Sequence, residues 1–398
     1  MARHKALPIK RASGAVSRIT GGYAAVVRKT RASLSVIPDA GDTLGLLLGR
    51  ELVPTATIDN APDDFRTLAV QIRDAGLLDR RPGYYSVKII LTIAAFAAGW
   101  AGLLVVGNSW ATLGAAAFLG VMFTQLGFVG HDAGHQQIFR SRRANWLLGM
   151  VVGNALIGLS FGWWITKHNA HHAHPNQVDR DPDIGDGLMV FTSAGGPGGE
   201  QGGLARLLAR SQAWLFFPLM LLRSAGLHVS GIQRLLRQRD RAAALEGLLI
   251  AVHATVFLTA VLWVLSPLKA LAFIAVQQAI FSLYLGCSFA PNHKGMPIIE
   301  GNTEMSFARR QVITARNVAG GRIANLILGG LNYQIEHHLF PTMPRPNLAR
   351  AQRLIRAFCI ESDLGYCETS LVGSYRQAVR HLRVVAAPTA VVARGVTG

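Results

Sequence analysis

Thirteen histidines occur in the chain, and seven of them fall into three short groups: His131-Asp-Ala-Gly-His135, His168-Asn-Ala-His171-His172 and Gln334-Ile-Glu-His337-His338. On a helix, residues three and four apart share a face. Each group therefore presents one multidentate edge. Neutral imidazole suits iron, copper, zinc or nickel. Seven imidazoles exceed what one ion can hold, so two metal ions are the natural number. A lone histidine is more often a hydrogen-bonded core residue, but three groups at helical spacing are hard to obtain by chance. Structural zinc is usually closed by four ligands including cysteine, and no His-Glu-x-x-His helix supplies a protease base. Redox chemistry remains. Metal-bound imidazoles donate their second nitrogen to a carboxylate or carbonyl, which makes Asp132, Asp179, Asp181, Asp183 and Glu336 candidate partners, or else solvated loop acids. His174 is expected to hydrogen-bond in its loop, and His253 to need a partner inside an apolar segment.

The elements that position these groups are apolar. Ser86–Gly107 is an almost uncharged run of 22 residues, about 33 Å as a helix and long enough to cross a hydrocarbon core. Ser109–Gly130 is a second such run, and the short break between them makes an antiparallel hairpin. Ala244–Ser266 and Leu268–Ala290 repeat the pattern around a Ser-Pro turn. The fold class expected is an all-α integral membrane protein: two transmembrane hairpins, interfacial helices and a helical cap holding a di-metal site. Arg80, Arg81, Lys88, Arg237, Arg239, Arg241 and Lys294 flank the inner ends, whereas Lys269 alone lies in the outer turns. By the positive-inside rule both termini and the site are cytoplasmic. Trp146–Ile165 is long enough to span, yet spanning would put the first and second histidine groups on opposite faces. It is therefore expected to be an interfacial or re-entrant helix. Ala213–Leu222 is too short to cross.

Half of the residues are hydrophobic and the formal net charge is +18, with a mean hydropathy of +0.29. Nothing has the spacing of a zinc finger or an RNA-binding module, and the basic residues flank apolar segments, so the charge reads as topological rather than as a nucleic-acid footprint. Cys287, Cys359 and Cys367 form no pair motif, which fits a reducing compartment. Residues 1–60 read as a basic cytoplasmic tail beside anionic lipid, 61–385 as the enzymatic domain and 386–398 as a flexible tail. Gly195–Gly203 reads as a flexible loop, because neither a preceding strand nor a Gly-Lys-Ser ending makes it a phosphate cradle. Richness in Ala, Gly, Arg and Val suggests a bacterial source.

In order and separation the three groups resemble the histidine boxes of the membrane fatty acid desaturases, over about Ser86–Arg356. The resemblance implies a non-haem di-iron oxidoreductase that uses O2 to insert a cis double bond into an acyl chain carried as acyl-CoA or acyl-lipid. Gln334 at the head of the third group resembles the front-end desaturases, which act between an existing double bond and the carboxyl end. Those often carry a fused cytochrome b5 domain with a His-Pro-Gly-Gly motif. This sequence has none, so a separate donor of ferredoxin, cytochrome b5 or flavin reductase type is implied. The family also draws a ligand from the segment after the fourth span, which here is Asn292-His293. The implied metal ligands are thus His131, His135, His168, His171, His172, His293, His337 and His338, with Gln334, Asn292, Asp132 and Asp181 acting through water or from behind them. A membrane di-iron hydroxylase of alkane, sterol or carotenoid type uses related boxes and is the nearest rival, although the run Asn-Tyr-Gln-Ile-Glu-His-His-Leu-Phe-Pro favours a desaturase. A metal transporter is a second rival, but its ligands should lie within the bilayer. Trp163 and Trp164 are either the mouth of an acyl channel or interfacial anchors. Arg309, Arg310, Arg316 and Arg322 are candidates for an anionic head group, lipid phosphate or an acidic electron carrier.

Overall fold

The computed structural model describes residues 65–184, 203–238, 240–301 and 303–386. The basic segment 1–60, nearly all of the Gly195–Gly203 stretch and nearly all of the tail 386–398 lie outside the described residues.

Four helices are long and apolar enough to cross a membrane: α2 (Pro82–Val106), α3 (Thr112–Gly134), α8 (Arg241–Val264) and α9 (Pro267–His293). Proline opens α2 and α9, where its missing N–H costs nothing, and Asp240 caps α8 by accepting from Ala243 N. The two hairpin tips meet, because Lys269 Nζ donates to Asn108 O at 2.7 Å and Ser266 N to Asn108 Oδ1 at 3.1 Å. A core of Phe123, Phe257, Phe273 and Phe281 fills the bundle. Large apolar side chains on the outer faces remain exposed, Val105 and Trp263 at 86% each, as a lipid-facing surface requires. At Gly120 of α3 a Cβ would lie 2.8 Å from Gln277 O, so this glycine lets α3 and α9 approach closely.

Both inner ends run further than the sequence suggested. Helix α3 continues through His131 to Gly134, and α9 continues to His293 through Pro291. The first and third of the four histidine-bearing segments are therefore extensions of spans, not loops beyond them. The proline is tolerated because it deprives only one carbonyl, Cys287 O, which accepts from Tyr375 Oη at 2.6 Å instead.

The Trp146–Ile165 run is not one helix. Helix α4 (Arg142–Met150) passes into a π-helical turn (Val151–Leu156), and after a break α5 (Phe161–Ala173) turns back through 118°. Gly158 makes the reversal at φ +73°, a backbone that glycine adopts without a side-chain penalty. The unsatisfied carbonyls of the break are met by His253 Nδ1 at Ala155 O (3.1 Å) and His228 Nδ1 at Gly158 O (3.0 Å). His253 thus has its partner. Glu246 of α8 pins the break from the other side, accepting from Asn154 Nδ2, Ser160 Oγ and Gly162 N. The Ala213–Leu222 run is likewise bent, since α6 (Gly203–Met220) meets α7 (Arg223–Arg237) and the residues from Arg210 onward turn through 83°.

The remaining elements form a cap. These are α1 (Phe65–Asp74), α10 (Phe307–Ile313), β1 (Asn317–Ala319), α11 (Gly321–Ile327), α12 (Gln334–Leu339), α13 (Arg345–Glu361), β2 (Glu368–Ser370) and α14 (Leu371–Ala386). β1 and β2 pair in parallel. A second apolar core of Leu68, Ile72, Val312, Ile335, Leu339 and Ile355 holds the third histidine group against the cap.

Candidate metal centre

All eight histidines converge. His131, His135, His168 and His337 offer ring nitrogens within 4.8 Å of one another, and His171, His293 and His338 form a second such group. His172 stands between them, with its Nε2 3.1 Å from His168 Nε2 and its ring stacked on His338 at 4.2 Å. The contributors are α3, the re-entrant α5, the end of α9 and α12. The 118° reversal is what lets α5 meet α3, and His135 Nε2 lies 2.8 Å from His168 Nε2.

Second ring nitrogens are fixed from behind. His171 Nδ1 donates to Asp181 at 3.0 Å, His293 Nδ1 to Thr314 O at 2.9 Å and His338 Nδ1 to Gln311 Oε1 at 2.8 Å. This assigns the tautomers and leaves Nε2 of each facing inward. Nε2 of His131, His337 and His338 and Nδ1 of His172 are buried with no hydrogen-bond partner. A buried polar atom without a partner is expensive, and a metal ion in each group would satisfy Nε2 of His131, His337 and His338 without further protein groups. Burial, followed by repulsion among the imidazoles, holds His337 and His338 well below the usual histidine range. They are neutral and able to ligate at pH 7.

The acids divide. Asp181 is the partner of His171, and Asp183 lies 3.6 Å from the same ring. Asp132 lies 3.5 Å from His131 Nδ1 but pairs chiefly with Arg345, whose Nη2 donates at 2.6 Å. Two candidates do not serve the histidines. Asp179 is exposed in the loop. Glu336 turns away to accept from Asn317 Nδ2 (2.7 Å) and Tyr366 Oη (2.8 Å), with burial pushing its carboxyl up to about 7. Gln334 Nε2 lies 2.9 Å from His293 Nε2 and its Oε1 accepts from Asn292 Nδ2 at 3.1 Å, so this pair faces the second group. His174 bonds Gln177 in its loop.

One cavity of about 180 Å³ opens on the histidines. Its walls include His131, His168, His171 and His293, then Phe161, Phe216, Met220, Phe281 and Leu285. Trp163 and Trp164 line it, and Trp164 stacks on His168 at 4.5 Å. Both therefore belong to the wall of this cavity. Arg316 is not a head-group ligand: it is buried, with its guanidinium bonded to Pro291 O, Gln377 Oε1 and Lys294 O. Arg310 leans on Ala173 O and His174, and none of the four arginines named from sequence lines the cavity. The cations that do are Lys167, Arg223 and Lys294. Sequence reasoning missed all three as cavity residues, since none carries a motif and Lys294 was read only as a charge flanking a span.

A family model described as fatty acid desaturase matches residues 108–370. An acyl-lipid (9-3)-desaturase of Physcomitrium patens is 31% identical over 81% of this chain and 62% of its own length, so the chain spans somewhat under two thirds of that relative. A Delta(8)-fatty-acid desaturase of Euglena gracilis is 32% identical over 79% of this chain and 77% of its own. A Delta(6)-fatty-acid desaturase of Caenorhabditis elegans is 30% identical over 81% and 75%. Four apolar helices, eight converging histidines and these matches agree: the chain belongs to the fatty acid desaturase family.

Proposed function

We propose that this protein inserts a cis double bond into a fatty acyl chain, carried as acyl-CoA or acyl-lipid, using O2, two iron ions and electrons from an external donor of ferredoxin, cytochrome b5 or flavin reductase type. His131, His135, His168 and His337 hold one ion and His171, His293 and His338 the other, with His172 between them and Gln334 and Asn292 acting through water. The observation that carries this reading is a cluster of eight buried or half-buried histidines with partnerless ring nitrogens, which reaches an apolar cavity through His131, His168, His171 and His293. Bound iron supplies the oxygen and one-electron chemistry that an unactivated C–H bond demands.

The chain's own residues do the rest. Asp181, Thr314 O and Gln311 hold the outer ring protons of His171, His293 and His338. An acyl chain offers no acid or base handle, so its position must be set by fit, and Phe161, Phe281, Leu285 and Trp164 supply an apolar wall that excludes water. Gln334 at the head of the third group, together with the names Delta(8) and Delta(6) of the relatives, supports a front-end position. The bias of Lys and Arg to one side supports cytoplasmic termini and a cytoplasmic site, in the bacterial membrane that the composition suggests.

The test is the fatty acid profile of a desaturase-poor host expressing this chain with a reductase, beside His337→Ala. A new unsaturated acid absent from the variant is expected. Hydroxylated acids would assign the protein to the hydroxylases, and an unchanged profile from iron-loaded protein would remove fatty acids as its substrate.

A further inference from the structure

Ile323, Leu326 and Ile327 are 73%, 66% and 47% exposed, and they make up one face of α11, since residues three and four apart share a side of a helix. No residue of that seven-residue helix is buried, so its apolar side chains serve no core. A patch of this kind marks contact with something apolar outside the chain. The helix lies between the pairs Gly320-Gly321 and Gly329-Gly330, all four at positive φ, a backbone that glycine adopts without a side-chain penalty. Its C-terminal end is fastened to the membrane bundle. Tyr284 Oη of α9 donates to Ile327 O at 2.6 Å while accepting from Gln125 Nε2 of α3 at 2.7 Å. Gly329 packs so closely on Phe128 of α3 that an added Cβ would lie 2.4 Å from the ring.

These points of attachment lie within the depth of the bilayer. Tyr284 stands fifteen residues inward of Lys269 at the outer turn, and Phe128 sixteen residues inward of Thr112, where α3 begins. At 1.5 Å per residue those are about 22 and 24 Å along two different spans, short of the roughly 30 Å of a hydrocarbon core. We propose that α11 is a foot of the cap set into the lipid leaflet on the histidine side, with Ile323, Leu326 and Ile327 among the acyl chains and Arg322 reaching the lipid phosphates. The exposed face of α11 thereby continues the lipid-facing surface of α3 and α9. Arg322 is exposed, and an arginine stem lies along apolar surroundings while its guanidinium reaches out to phosphate oxygens. The chain runs from this foot straight into Gln334 and the third histidine group, so the bilayer takes part in seating the cap over the bundle. The proposal rests on the spans and not on the reaction.

The test is carbene labelling of the full wild-type chain in vesicles of phosphatidylcholine whose acyl chains carry a diazirine, with labelled residues located by peptide mass spectrometry. Val105 and Trp263, 86% exposed on the spans, set the level for a lipid-facing residue. The turn 361–365 of the cap, with Glu361 and Asp363 exposed, sets the level for a residue in water. Residues 323–327 are expected to label at least fivefold above that turn. Labelling no higher than the turn overturns the proposal, whether water or a second copy of the chain covers the face instead. Absence of label from Val105 and Trp263 takes the bundle out of the bilayer, and the proposal with it. Failure of the desaturase reading shows differently, as a chain that labels in this pattern but forms no unsaturated acid.

Discussion

Asp181 is the residue on which the second histidine group leans most. It is buried, and it accepts from His171 Nδ1 through both oxygens at 3.0 Å, which fixes the tautomer that leaves Nε2 for metal. Groups behind a ligand typically contribute about 10–100-fold to metal affinity. Asp181→Ala is expected to lose that much, measured as bound iron at limiting iron by elemental analysis; full retention would show that Asp183 or the fold alone orients the ring. Arg345 does a different task. It is buried with Asp132, each side chain no more than 3% exposed, so Arg345→Met strands a charge. Such a break costs about 3–5 kcal/mol, and thermal unfolding in detergent is expected to show it, with Asp132→Asn restoring most of the loss in the double variant. Seven of the eight clustered histidines could be picked out in the sequence because helical spacing groups them, whereas His293 was reached only through the family resemblance. Their supports Gln311, Thr314 and Arg345 could not be picked out, because each contact joins positions far apart in the chain and none has a motif. Glu336 was misread for a geometric reason: one step along a helix turns a side chain by about 100°, so the neighbour of His337 faces the cap instead of the metals.

At the scale of the element, the re-entrant turn decides whether there is a site at all. Glu246 closes it, and at Gly162 an added Cβ would lie 2.1 Å from Glu246 Oε1. Gly162→Ala must therefore displace either the carboxylate or α5, and is expected to lower both thermal stability and bound iron; Gly247→Ala, where a Cβ meets nothing within 4 Å, is the control expected to change neither. Cysteines placed at Arg143 and Asn169, both exposed, are expected to react with an impermeant maleimide from the same side of sealed vesicles. Reaction from opposite sides would make the run a span and dissolve the site. That this segment must fold back was legible, since the alternative separates ligands that belong together. The π-helical turn and the αL glycine that accomplish it were not, as neither leaves a periodicity to read. The cavity wall offers a third test. Leu285 precedes His293 by eight positions, about 12 Å along α9, so Leu285→Trp blocks the channel below the histidines. The product profile is expected to shift toward shorter acyl chains, and an unchanged chain-length distribution would place the hydrocarbon elsewhere.

At the scale of the molecule, the histidines proposed as metal ligands lie where two cores meet. His131 and His293 end spans packed on the membrane core around Phe123 and Phe281, while His337 and His338 belong to α12, whose Ile335 and Leu339 sit in the cap core. Four spans and a cap could be read from hydropathy and charge. The cap's internal order could not, because α10 to α12 are short helices of six or seven residues whose packing is set by distant partners, among them Ile72 and Ile355. Without metal, the partnerless Nε2 atoms of His131, His337 and His338 leave a cost at the junction of bundle and cap. With it, those same atoms become the bonds between them. Any ligand that binds only the folded state stabilises it by RT ln(1 + [L]/Kd), about 2.7 kcal/mol at one hundred times Kd. Stripping the protein with a chelator is therefore expected to lower its thermal midpoint by several degrees, and added ferrous ion to restore it in a concentration-dependent way. The loosening should also be uneven. Amide exchange is expected to rise in α12 and at the inner ends of α3 and α9 while the hairpin tips, held by Lys269 and Asn108, stay protected. Uniform exchange after chelation would mean that packing alone holds cap to bundle, leaving the histidines a chemical role and no structural one.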